Sequence, residues 1–78
     1  MTKITEKRLL EYGFKRDSIC PMTLFSMKTP YGYHIDVTQT EDPDVWSAHI
    51  DDKDCCTIGR TDVRSIEEID RLIDVYQD

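Results

Sequence analysis

Tyr33-His34-Ile35-Asp36-Val37-Thr38 and Val45-Trp46-Ser47-Ala48-His49-Ile50-Asp51 decide how this chain folds. Each alternates apolar with polar residues at a period of two, the spacing at which successive side chains of a strand leave on opposite faces. Both segments therefore read as half-buried strands. Setting Thr38 against Val45 across the turn-rich segment 39–44 places Val37 opposite Trp46, Ile35 opposite Ala48 and Tyr33 opposite Ile50. All the large apolar residues then share one face, and a slip of one residue would expose Trp46.

Upstream, Thr23 to Thr29 carries Phe25 and Met27 with the same alternation. Pro30-Tyr31-Gly32 follows, with proline suited to the first turn position and glycine to a left-handed one, so the segment reads as a three-residue hairpin loop pairing Thr29 with Tyr33. Met27 then faces Ile35. Downstream, Asp52-Lys53-Asp54 leads into a fourth strand near Cys55 to Arg60, with Cys56 and Ile58 expected inward. The expected sheet is a four-strand meander.

Two helices flank it. Thr5 is placed to cap Glu6 to Tyr12, Glu6 lies at the positive helix end, and Gly13 supplies the stop. Ile4, Leu9, Leu10 and Phe14 are its expected core contacts, and Asp17 to Pro21 reads as a connector because Pro21 cannot continue a helix. At the other end Ser65 and Glu68 form a capping-box pair. Ile66, Ile69, Leu72, Ile73 and Tyr76 repeat at helical spacing, predicting a helix from Ile66 to about Tyr76. One apolar face on each helix and one on the sheet predict an α+β domain, α-β-β-β-β-α, with both helices on one side of the sheet.

Seventy-eight residues leave room for one small domain spanning 1–78, and 38% apolar residues suffice for a core. A cytoplasmic protein, monomeric or a small homo-oligomer, is expected, because no apolar run is long enough for a bilayer and no secretion signal is evident. The three cysteines, Cys20, Cys55 and Cys56, are an odd set that suits reduced thiols better than a secreted disulfide scaffold. The net charge of −6 is uneven: residues 1–16 hold five basic and two acidic side chains, and residues 36–54 hold seven acidic and one basic. Phosphate backbones are bound by arrays of Lys and Arg, so nucleic acid is an unfavoured partner.

Few residues suggest chemistry. In the register above His34 lies across from His49 on the open face, with Asp36 beside them. Two imidazoles and a carboxylate can ligate a transition metal or move protons, while a solvated polar face accounts for the same residues. Cys55 and Cys56 belong to no C-x-x-C motif and read as a surface thiol and a small core residue. Gly13, Gly32 and Gly59 are too scattered for a phosphate-binding loop. No catalytic residue and no cofactor is indicated, and the chain reads as a non-enzyme. Tyr31, at a hairpin tip, and the loop carboxylates Glu41, Asp42, Asp44, Asp52 and Asp54 form a set suited to a basic protein surface, with solubility as the simpler reading of the acids.

Leu9-Leu10-Glu11-Tyr12-Gly13-Phe14, Trp46-Ser47-Ala48-His49-Ile50-Asp51, Ile58-Gly59 and Ser65-Ile66-Glu67-Glu68-Ile69 together resemble small uncharacterised proteins of gut bacteria and their phages or conjugative elements. The resemblance spans most of the chain and implies an initial helix, strands and a short final helix. It implies no catalytic residues. Compact acidic proteins of phages often bind a host protein, defence nucleases included. The leading expectation is therefore a protein-interaction module, a regulator or inhibitor of a host protein carried by a mobile element. The alternatives are a metal-dependent or proton-transfer site at His34 and His49, and a structural subunit that self-associates through its open sheet face or an edge strand.

Overall fold

A computed structural model describes residues 1–19, 22–54 and 56–76. Its element order is α1 (Glu6–Tyr12), β1 (Lys15–Ile19), β2 (Met22–Lys28), β3 (His34–Gln39), β4 (Trp46–Asp51), β5 (Thr57–Val63) and α2 (Ile66–Val75). The fold is α+β, and its sheet is an antiparallel meander of five strands in sequence order, one more than the sequence reading allowed.

The additional strand is β1, which occupies part of the segment expected to be a connector. Asp17 pairs with Leu24 and Arg16 with Phe25. Lys15-Arg16-Asp17 shows no apolar alternation because β1 is an edge strand, where exposed charge discourages pairing with foreign strands. Cys20 and Pro21, the rest of that expected connector, lie outside the described residues.

Both helices begin as their capping residues dictate. The Arg8 amide donates to Thr5 Oγ1 at 3.1 Å, and the Glu68 amide donates to Ser65 Oγ at 3.2 Å. The reciprocal half of the second box is displaced by one residue, since the Glu68 carboxylate accepts from the Arg64 amide. Gly13, at φ 128°, ends α1 with its amide bonded to the Leu9 carbonyl. The N-terminal segment straps the start of α2: the Ile66 amide donates to the Thr2 carbonyl at 2.9 Å, and the Thr2 amide donates to Glu67 Oε1 at 2.6 Å.

The β2–β3 hairpin has the expected register, with Met27 opposite Ile35 and the Thr29 amide bonded to the Tyr33 carbonyl at 2.7 Å. The β3–β4 pair is shifted by two residues from the expected one. Val37 faces Ala48, Ile35 faces Ile50, and Gln39 faces Trp46. A two-residue shift keeps every side chain on its face, so the buried wall survives the change of partners.

Phe25, Ile35, Val37, Trp46, Ala48, Ile50 and Val63 form that wall, packed with Ile4, Leu9 and Phe14 from the N-terminal side and Ile69 and Ile73 from α2. The Phe25 and Trp46 rings meet edge-on with centroids 5.9 Å apart. Leu10, expected in the core, is 46% exposed, because α1 turns only Leu9 fully onto the sheet.

β5 departs most from expectation. It runs to Val63, which is buried opposite Trp46, and the register shifts between Ile50 and Asp51. Ile50 faces Gly59 while Asp51 faces Thr57, leaving Ile58 as the extra residue of a bulge. Gly59 takes the inward position, where a Cβ would lie 2.9 Å from Tyr76 Cζ. Ile58 is consequently turned outward, 44% exposed, and Cys56 is an exposed free thiol rather than a core residue.

Candidate functional site

The turns of the meander place the acidic loops. Strand β3 runs from the Tyr31 hairpin to the 40–45 loop, and β4 returns from it to the loop carrying Asp52 and Asp54. The two acidic loops therefore lie at opposite ends of the sheet, separated by a six-residue strand, roughly 20 Å. Glu41, Asp42 and Asp44 therefore do not form one set with Tyr31, Asp52 and Asp54, as the sequence reading expected.

At one end, Tyr31 joins Asp52 and Asp54. Gly32 has φ +92°, a conformation that disfavours any side chain, and the stem of Lys53 lies where a Cβ would be, with its Cε 2.9 Å from that position. The hairpin tip and the β4–β5 loop are thereby packed together. Asp52 also shapes its loop: Oδ1 accepts from the Asp54 amide at 2.8 Å and the Cys56 amide at 3.0 Å. Tyr31 is 38% exposed and Asp54 is exposed.

At the other end stand Glu41, Asp42 and Asp44, all exposed. Asp42 Oδ1 accepts from the Asp44 amide at 2.9 Å, and Thr40 Oγ1 donates to the Val45 carbonyl at 2.8 Å, so part of this acidity is spent on loop geometry. Asp44 pairs with Lys3 at 3.3 Å. Arg16 likewise pairs with Glu6 at 3.0 Å. Two of the five basic residues near the N-terminus are thus engaged by the chain's own acids, in exposed pairs that contribute little stability.

The open face carries polar rows across the sheet. Lys28, His34, Asp51 and Thr57 form one, and Lys15, Ser26, Asp36, His49 and Arg60 form the next. His34 and His49 do share this face, but the register shift sets His49 across from Asp36 and His34 across from Asp51. Partial burial raises the Asp36 carboxyl above its ordinary range; the Asp51 charge adds to the rise, and His49 and His34 oppose it. Among the described residues no group of three or more His, Cys, Asp or Glu side chains is arranged to hold a metal ion.

Two grooves flank α2, and sequence reasoning found neither. One, of about 590 Å³, is lined by Tyr12, Ile66, Glu67, Asp70, Arg71 and Asp74. Tyr12 Oη donates to Asp70 Oδ1 at 2.6 Å there; burial, that bond and the charges of Asp70 and Asp74 together raise the phenol well above its ordinary range. The other, of about 200 Å³, runs beside β5 and includes Thr61, Val63, Leu72 and Val75. Only the exposed Val75 could have signalled it, and an exposed valine is common. Among the described residues no helix is long and apolar enough to cross a membrane. Compared with known proteins, the chain matches no family model, no curated protein and no solved structure.

Proposed function

We propose that the chain is a non-enzymatic protein-interaction module that presents Tyr31, Asp52 and Asp54 to a basic patch on a protein partner. The observation that carries this reading is the packing of Lys53 over Gly32, which unites an exposed aromatic ring and two carboxylates on one end of the sheet. Aromatic anchors dominate the energy of protein interfaces, and surrounding acids steer a basic partner and fix its orientation. Two backbone amides donate to Asp52 Oδ1 within the loop, which holds the acidic tip in one shape before binding and lowers the ordering cost. The resemblance to proteins of phages and conjugative elements gives the proposal its form, a regulator or inhibitor of a host protein in the cytoplasm.

Capture from a host lysate tests it. Wild-type protein retains a partner whose binding weakens with salt. Tyr31→Ala, and separately Asp52→Asn with Asp54→Asn, reduce retention at least tenfold, about 1.4 kcal/mol. The paired change Glu41→Gln with Asp44→Asn, at the far end, leaves retention intact. Asparagine at 52 keeps the loop acceptor, so a loss reports charge rather than unfolding. Equal retention by wild type and the tip variants would overturn the proposal.

A further inference from the structure

Strand β5 lies at the edge of the sheet. Among the described residues it pairs with β4 and with no other strand, which leaves the backbone groups along its other side without a strand partner. Beyond the bulge at Ile58, Gly59 to Val63 is regular, with Arg60 and Asp62 on the open face and Gly59, Thr61 and Val63 on the helix side.

We propose that the β5 edges of two copies join in an antiparallel pair whose two-fold axis passes through Thr61. In that register Arg60 of each copy faces Asp62 of the other, Thr61 faces Thr61, and Gly59 faces Val63. Opposite charges and paired threonines are favourable cross-strand neighbours. Neighbouring registers are worse. An axis through Arg60 sets the two guanidinium groups against each other, and an axis through Asp62 sets carboxylate against carboxylate and Arg60 against Arg64. An odd register would oppose inward to outward side chains. Charge thus selects one alignment, and it selects a second copy of this chain as the occupant.

The helix side agrees with this occupant. The groove beside β5, lined by Thr61, Asp62, Val63, Leu72 and Val75 with Glu68 and Arg71, adjoins the same strand, and Val75 is 68% exposed. Two-fold pairing turns the two grooves toward each other and covers apolar surface that one copy leaves in water. The interface is closed and isologous, so assembly stops at a ten-strand dimer. It lies on the side of the sheet, apart from the Tyr31 tip, and each surface stands or falls without the other.

Sedimentation equilibrium of the whole chain, over roughly 1 μM to 1 mM, reads the outcome. A short strand interface is small, so dimerisation is expected with a Kd on the order of 10–100 μM. Arg60→Asp alone sets like charges across the interface, as does Asp62→Arg alone, and each raises the Kd at least tenfold. The double variant Arg60→Asp with Asp62→Arg restores complementarity and returns the Kd to within about threefold of wild type. Circular dichroism establishes that the single variants remain folded. A wild type that is monomeric throughout, single variants that dimerise like wild type, or a double variant that fails to recover would each overturn the proposal.

Discussion

Replacing Gly59 by alanine tests how α2 is seated on β5. Gly59 is extended, so alanine meets no backbone obstacle, and the loss of unfolded-state freedom alone would stabilise the chain by about 0.4–1 kcal/mol. The new methyl, however, would lie 2.9 Å from Tyr76 Cζ and closer still to the phenol oxygen, and a rigid ring must swing away as a unit. That movement also disturbs the edge-on contact of Tyr76 with Tyr33, whose ring centroids are 6.4 Å apart. Losing part of a half-buried ring's packing and one aromatic pair costs roughly 2 kcal/mol, so the net effect of Gly59→Ala is a destabilisation of about 1 kcal/mol. With Tyr76→Ala already present there is no ring to displace, and Gly59→Ala then stabilises by about 0.5 kcal/mol. Urea unfolding of the four members of this cycle should give a coupling of about 1–2 kcal/mol. Additive effects, with Gly59→Ala equally harmful in both backgrounds, would refute the seating of Tyr76 over Gly59.

Ile35→Ala, at a fully buried position in the central strand, should cost about 2–5 kcal/mol in the same assay, a large share of the stability of a chain this size; a cost below about 1 kcal/mol would place Ile35 outside the core. Asp36→Asn should raise stability at neutral pH. The folded-state pKa of Asp36 is raised, so the fold is favoured while the carboxyl is protonated and loses that advantage as pH rises through the folded pKa; the variant's benefit should therefore vanish in acid. A benefit independent of pH would contradict the assignment. In an alkaline absorbance titration one of the four tyrosines should ionise last, and Asp70→Asn should bring it toward the others; that variant's leaving the last step unmoved would remove the Tyr12–Asp70 bond as its cause.

Local chemistry was the legible part of this sequence. Thr5, Gly13, Ser65 and Glu68 bound both helices because a cap is satisfied within four residues, and Pro30 with Gly32 set the β2–β3 register because a tight turn leaves no slack. The β3–β4 register was not legible to better than two residues: a period of two identifies a face, and the longer 40–45 loop, closed by Thr40, sets the alignment. β1 escaped because an edge strand needs no apolar alternation. The facing of β5 was misread because the inward place at 59 is taken by a tertiary contact, the Tyr76 ring, which favours glycine over the more hydrophobic Ile58. The candidate site followed the same division. Both histidines were correctly placed on the open face, yet their partners changed with the register. Tyr31 was found at its hairpin tip, while its proximity to the 52–54 loop depends on Lys53 crossing to Gly32, a contact spanning 21 residues that no local pattern encodes.

Both proposed surfaces depend on the strand alignment, which cross-strand proton contacts measured by NMR report directly. The observed alignment requires contacts of His49 with Asp36 on one side and with Arg60 on the other, together with contacts between Arg16 and Phe25. A spectrum placing His49 directly across from His34, or showing no pairing of residues 15–17 with β2, would contradict it.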